Sequence, residues 1–202
     1  MLVGATMTTN DAGPKIAPTG YWLGDTAHSH HDCCQPLALW IARLFIRRAQ
    51  QNTPVYDFGC GMGAYLRVLS GWGFTKVMGF EGEPPLGHRE DVRKQDLTKR
   101  FDVPERGNVI CLEVAEHIPA EFESMLVDNI DRACSGTLCL SWAIRGQVGD
   151  GHVNCRDNSE VRAIFEARGF RYNEAESNGG RATPDPDWCA HFTKTFMVFD
   201  RG

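Results

Sequence analysis

Two carboxylates and an imidazole stand together in Glu113-Val114-Ala115-Glu116-His117, and a second imidazole follows in Gly149-Asp150-Gly151-His152. If the chain turns helically after 113, residues three and four apart share a face, so Glu113, Glu116 and His117 converge. Carboxylates held that close repel unless a proton or a cation intervenes. A divalent ion would meet that need, and mixed oxygen and nitrogen ligands suit Mg, Mn or Zn without choosing among them. His117 and His152 are also the candidate catalytic bases.

A second constellation lies upstream, in Val55-Tyr56-Asp57-Phe58-Gly59-Cys60-Gly61-Met62-Gly63. Glycines at 59, 61 and 63 allow a tight turn and close approach of a ligand, with free amides at the start of the helix beyond. Dinucleotide folds use G-x-G-x-x-G to seat a pyrophosphate, whereas this turn is G-x-G-x-G with Asp57 just ahead, and an acid suits a cationic ligand. Glu81 ends the next apolar run, where a carboxylate can accept both hydroxyls of a ribose. Lys94-Gln95-Asp96-Leu97 follows.

Together these segments resemble the class I methyltransferases that use S-adenosylmethionine (SAM). The resemblance implies that Asp57 lies near the amino-acid moiety of SAM, that Glu81 anchors the ribose, and that Asp96 pairs with the adenine amino group beside the apolar wall of Leu97. The pattern Glu-x-x-Glu-His with a later His is similar to two groups, the ubiquinone-pathway O-methyltransferases and the small-RNA 3′-terminal 2′-O-methyltransferases. In both it implies a divalent metal that holds the acceptor hydroxyl and lowers its pKa. The match is at Glu113, Glu116, His117 and His152, while the linking sequence departs from both groups. Glu-His-Ile-Pro after the fourth strand also occurs in metal-free methyltransferases, where Glu113 faces SAM and His117 orients a loop or acts as base. Both readings stand at this point.

These residues need a scaffold. Segments 55–58, 77–80, 109–114 and 137–143 are short apolar runs bounded by turn residues and read as buried strands. Between and around them, 36–48, 65–72, 120–133 and 159–168 carry helical periodicity, the last stopped by Gly169. Segments 170–175 and 192–199 read as a closing strand pair. The expected fold is therefore α/β: a doubly wound Rossmann-like sheet, mostly parallel with a C-terminal antiparallel pair, and helices on both faces. Residues 1–19 read as a flexible leader and 20–202 as one domain, with 20–50 supplying a lid and first helix and 179–188 a long loop placed as a substrate lid. Trp142 is either an acceptor contact or core packing, and Trp188 and His191 are further candidates at the mouth, where a structural role is the leading alternative.

Composition narrows the function. A chain of 202 residues holds one α/β domain with a good core. A net charge of -5 and a pI near 5.8 disfavour nucleic acid, so a small molecule or glycan-like acceptor, methylated on oxygen or nitrogen, leads over an RNA end. No apolar run reaches membrane-span length, and the N-terminus lacks a signal peptide's basic start, which points to the cytoplasm. Several of the eight cysteines sit within apolar strands and are expected to be reduced. Cys33-Cys34 beside His28, His30 and His31 lacks the Cys-x-x-Cys spacing of structural zinc sites. A nicotinamide oxidoreductase and a SAM-binding, non-catalytic partner subunit remain as other classes; oligomeric state leaves no trace in the sequence.

Overall fold

The computed structural model describes residues 15–24, 33–184 and 188–202. Its sheet has seven strands: β1 Val55–Phe58, β2 Val77–Glu81, β3 Val92–Lys94, β4 Gly107–Cys111, β5 Cys134–Leu140, β6 Phe170–Tyr172 and β7 Met197–Arg201. They lie in the order β3-β2-β1-β4-β5-β7-β6. The first five are mutually parallel, and β7 runs antiparallel between β5 and β6. Chain order reverses between β1 and β4, which opens a ligand crevice at the carboxyl ends of those strands.

Strand alternation divides the core. Val55, Ile110, Cys139 and Val198 pack on one face against Leu37, Ile41 and Phe45 of α1 (Gln35–Arg47). Tyr56, Val109, Leu138 and Phe199 pack on the other, against Leu126 and Ile130 of α3 (Glu123–Ala133) and Phe165 of α4 (Asn158–Glu166). The short α2 (Ala64–Gly71) follows the glycine turn. This is the doubly wound sheet expected from the alternation of elements.

Several boundaries differ from expectation. The strand expected over 109–114 ends at Cys111, and Glu113 takes a left-handed backbone with φ of 55°. β5 starts at Cys134, directly after α3, and stops at Leu140, because Trp142 turns into the core and donates its Nε1 hydrogen to the Asn154 carbonyl at 2.6 Å. β3 was not anticipated; two of its three residues, Arg93 and Lys94, are exposed charges typical of a protected sheet edge. Between the closing strands, Glu174–Arg181 is a helix, α5, capped by the Asn173 side chain, and Phe192–Thr195 is one helical turn, α6. The strand expected over 170–175 thus stops at Tyr172, and the loop expected over 179–188 begins inside α5, a polar, glycine-bearing helix with little apolar surface to signal it.

Residues 15–24 form a tight hairpin, with Ile16 bridged to Trp22 and the Ala17 amide donating to the Tyr21 carbonyl at 2.8 Å. Residues 15–19 thus belong to a folded element, while 1–14 of the expected leader lie outside the described residues. Among the described residues no helix is long and apolar enough to cross a membrane.

Candidate functional site

The glycine turn is built for close approach. Gly59, Gly61 and Gly63 all have positive φ, and a Cβ on Gly59 would stand 2.3 Å from Val114 Cγ2. Gly59→Ala is therefore expected to cost more than the ~1 kcal/mol of left-handed strain alone. Gly73, also at positive φ but with open space around it, is the control. Thermal melts should show Gly59→Ala well below Gly73→Ala; equal melting temperatures would refute the steric reading.

Glu81 ends β2 almost fully buried, and its two oxygens accept the amides of Gly61 at 2.9 Å and Gly82 at 2.8 Å. One lone pair on each oxygen is so engaged, which fixes the carboxylate and leaves the outer pairs for a ligand. Asp96 accepts the amide and hydroxyl of Thr98 through Oδ1, and Leu97 is buried beside it. Asp57 projects from β1 toward the α1 face. Burial, with the Glu81 charge behind it, pushes its carboxyl up to about 8, and its Oδ2 is buried without a hydrogen-bond partner.

The Glu-x-x-Glu-His segment does not continue as a helix. The left-handed turn at Glu113 sends its amide to Ser141 Oγ at 2.7 Å, and that hydroxyl donates back to Glu113 Oε1 at 2.8 Å. Glu113 Oε2 faces His191 Nε2 at 3.8 Å. Glu116 instead plunges into the interior, where neither carboxyl oxygen has a partner; burial first, then the Glu113 charge, raises its pKa well above the carboxylate range. Its carbonyl accepts the amides of Val153 and Asn154, both at 2.9 Å, which ties the second imidazole's loop to the first.

Ligand atoms of Glu116, His117 and His152 lie within 4.8 Å of one another. Glu113 stands outside that group, so the structure gathers three of the four residues on which the expected metal set was built. The left-handed turn at Glu113 replaces the helix on which the shared face depended, although the Glu113 charge still acts on Glu116. The two imidazoles meet edge to face at 5.1 Å, and Trp22 of the hairpin packs on His117 at 5.5 Å. His152 Nδ1 lies 3.2 Å from the Gln147 carbonyl, which favours a proton on Nδ1 and leaves the lone pair on Nε2.

One cavity of about 340 Å³ joins these parts. Asp57, Gly59, Glu81, Asp96 and Leu97 line one end and Glu113, His117 and His152 the other, with Trp188 and His191 also in the wall. Gly61, Gly63 and Glu116, by contrast, are not among the residues that line it. Tyr21, Cys34 and Tyr65 line it as well and escaped sequence reasoning, since no motif marks them. Trp142, weighed as an acceptor contact, is core. Cys33 and Cys34 are free thiols, as are the other six cysteines; His28, His30 and His31 of the suggested zinc cluster lie outside the described residues.

No protein-family model matches the sequence, and a comparison with curated proteins yields no match. Solved structures share the fold. A sugar N-methyltransferase from Streptoalloteichus sp superposes with a TM-score of 0.64 at 16% identity, over 100% of this chain and 98% of that one. Magnesium protoporphyrin IX methyltransferase from Synechocystis, with bound SAM, gives 0.60 at 19% identity over 83% and 79% of the two chains. The 1,6-didemethyltoxoflavin-N1-methyltransferase of Burkholderia thailandensis, with its substrate and S-adenosylhomocysteine (SAH) bound, gives 0.58 at 15% identity over 96% and 98%. The chain thus has the Rossmann-like fold of class I methyltransferases.

Proposed function

We propose that the protein is a SAM-dependent methyltransferase acting on an oxygen or nitrogen of a small molecule or glycan-like acceptor. The observation that carries this is the single cavity with a nucleoside-type end at Glu81, Asp96 and the glycine turn and an imidazole-rich end at His117 and His152. The sulfonium of SAM is already an activated donor. The protein's part is to hold the acceptor in line with the methyl and to take up its proton, for which the Nε2 lone pair of His152 is suited. Glu113, fixed by Ser141, lines the same cavity and is suited to face the donor.

Among the described residues the cavity wall contains no Lys or Arg, which favours a small acceptor over an RNA end. The solved neighbours that act on a sugar, a porphyrin and a heterocycle support the same class. Calorimetry should show SAM and SAH binding with NAD silent; NAD binding without SAM would overturn the proposal in favour of an oxidoreductase.

A metal-assisted variant is favoured by one observation, the buried and unpartnered carboxyl of Glu116 beside two imidazoles. Those groups fit a divalent cation, with Glu116, His117 and His152 as its ligands. Such an ion would supply Lewis acidity toward an acceptor hydroxyl. The purified protein should then carry about one equivalent of Zn, Mn or Mg by elemental analysis, lost in Glu116→Gln; equal metal content in both would reject this set.

A further inference from the structure

The acceptor end of the cavity carries fixed charge of one sign. Its wall comes from four stretches of chain: the hairpin with Cys34, the Glu113 turn, the His152 loop and the segment from Trp188 to Phe192. None of the 21 Lys and Arg of the sequence falls within 16–42, 107–131, 146–155 or 182–193, which contain those stretches. Each of these ranges does contain acids, and Glu113 and Asp150 among them line the cavity. A cleft lined by one sign of charge concentrates ligands of the other. Trp188, also in the wall, is 65% exposed, and the open face of an indole attracts an ammonium group.

We propose that the acceptor is an amine, drawn in as its ammonium by Glu113, Asp150 and the face of Trp188. This rests on the donor reading above and selects nitrogen where that reading admits oxygen or nitrogen. Charge balance decides between them. The ammonium gives one proton to an imidazole, for which His152 keeps its lone pair on Nε2. The freed nitrogen lone pair then forms the N–C bond to the methyl as the C–S bond breaks, and the electrons of that bond stay on sulfur. SAH leaves as a thioether, the product is a methylammonium, and the proton passes from the imidazole to solvent. At no stage does the acceptor carry negative charge, and the carboxylates favour both of its cationic forms. A hydroxyl that loses its proton instead builds negative charge on oxygen, which the same two carboxylates oppose. That route needs the divalent cation of the metal-assisted variant, so the two readings call for different acceptor atoms.

The test uses the full chain saturated with SAH and two matched sets of probes: glucosamine, glucose and glucuronate, then tryptamine, tryptophol and indole-3-acetate. Calorimetry should make the amine the tightest member wherever a set binds, by at least about tenfold over the alcohol, with the carboxylate weakest. An alcohol or carboxylate that binds as tightly as its amine, or the absence of amine binding in both sets, overturns the proposal. Asp150→Asn, on an exposed loop, should weaken the amine about two- to fivefold at low salt, the size of one exposed ion pair, and leave the alcohol and SAH unchanged. Equal amine affinity in both proteins, or equal weakening of amine and alcohol, counts against it as well. The wild-type ranking decides by itself if Asp150→Asn does not fold. Methyl transfer from SAM to an alcohol probe, abolished by a chelator, overturns the choice of nitrogen in favour of the metal-assisted route. SAH binding without preference for the amine defeats this inference alone; failure of wild type to bind SAH defeats the donor reading with it.

Discussion

Asp57→Asn is expected to raise the melting temperature of the ligand-free protein while weakening SAM about 10- to 100-fold, the effect of losing a charge-assisted hydrogen bond. Asp57 is buried, and desolvation, reinforced by Glu81, shifts its carboxyl from 3.8 to about 8. The folded state therefore holds a proton there that the unfolded chain releases near pH 4. The associated stability is fully present below pH 3.8 and is lost as the pH rises through about 8. Glu116, raised for the same reason, adds to the slope in the same direction. Melting of the free wild-type protein should accordingly fall between pH 5 and pH 8, by roughly several degrees per kcal/mol. The slope should be shallower in Asp57→Asn. Ligand binding carries the opposite sign, because an ammonium prefers ionised Asp57. SAM affinity should rise toward pH 8 with release of a proton, measurable by calorimetry in two buffers of different ionisation enthalpy. A pH-independent affinity in wild type, or a destabilised Asp57→Asn, would contradict this account.

The second large effect concerns His152. Its Nδ1 faces the Gln147 carbonyl, its ring packs on His117, and it shares the Glu116 group, so it is placed either to take the acceptor proton or to ligate a metal. His152→Ala should lower kcat by about 10²- to 10⁴-fold, the usual contribution of a positioned base, with SAM affinity unchanged because the residue lies at the acceptor end of the cavity. Unchanged turnover in a natively folded variant would remove both roles. The His152→Ala melting temperature should stay near wild type, since the side chain lines the cavity and carries little of the core.

Much of the donor end is legible in sequence because it depends on local rules. A glycine turn, an acid at a strand end and an apolar partner are all short-range features, and Asp57, Glu81, Asp96 and Leu97 meet in one cavity as the alternation of strands and helices requires. Tyr65 and Cys34 were not legible: 31 positions apart (65 − 34), they meet only because α1 and α2 lie on the same face of the sheet. At the acceptor end the local rule does not apply. Spacing of three and four residues implies a shared face only on a helix, and Glu113 breaks that premise with a left-handed turn secured by Ser141, 28 residues downstream.

The Glu-x-x-Glu-His segment shows where the division falls. The sequence by itself determined which chemical groups exist there, two carboxylates and an imidazole, and that they follow a strand at the ligand-binding edge of a doubly wound sheet. Only the tertiary structure decided their surroundings. Hydrogen bonding to Ser141 turns Glu113 into the cavity, while burial leaves Glu116 unpartnered in the interior, and the Glu116 carbonyl draws in the loop that carries His152. The physical reason is that charge state and direction depend on solvent exposure and on partners distant in the chain, and neither is written in the spacing of residues.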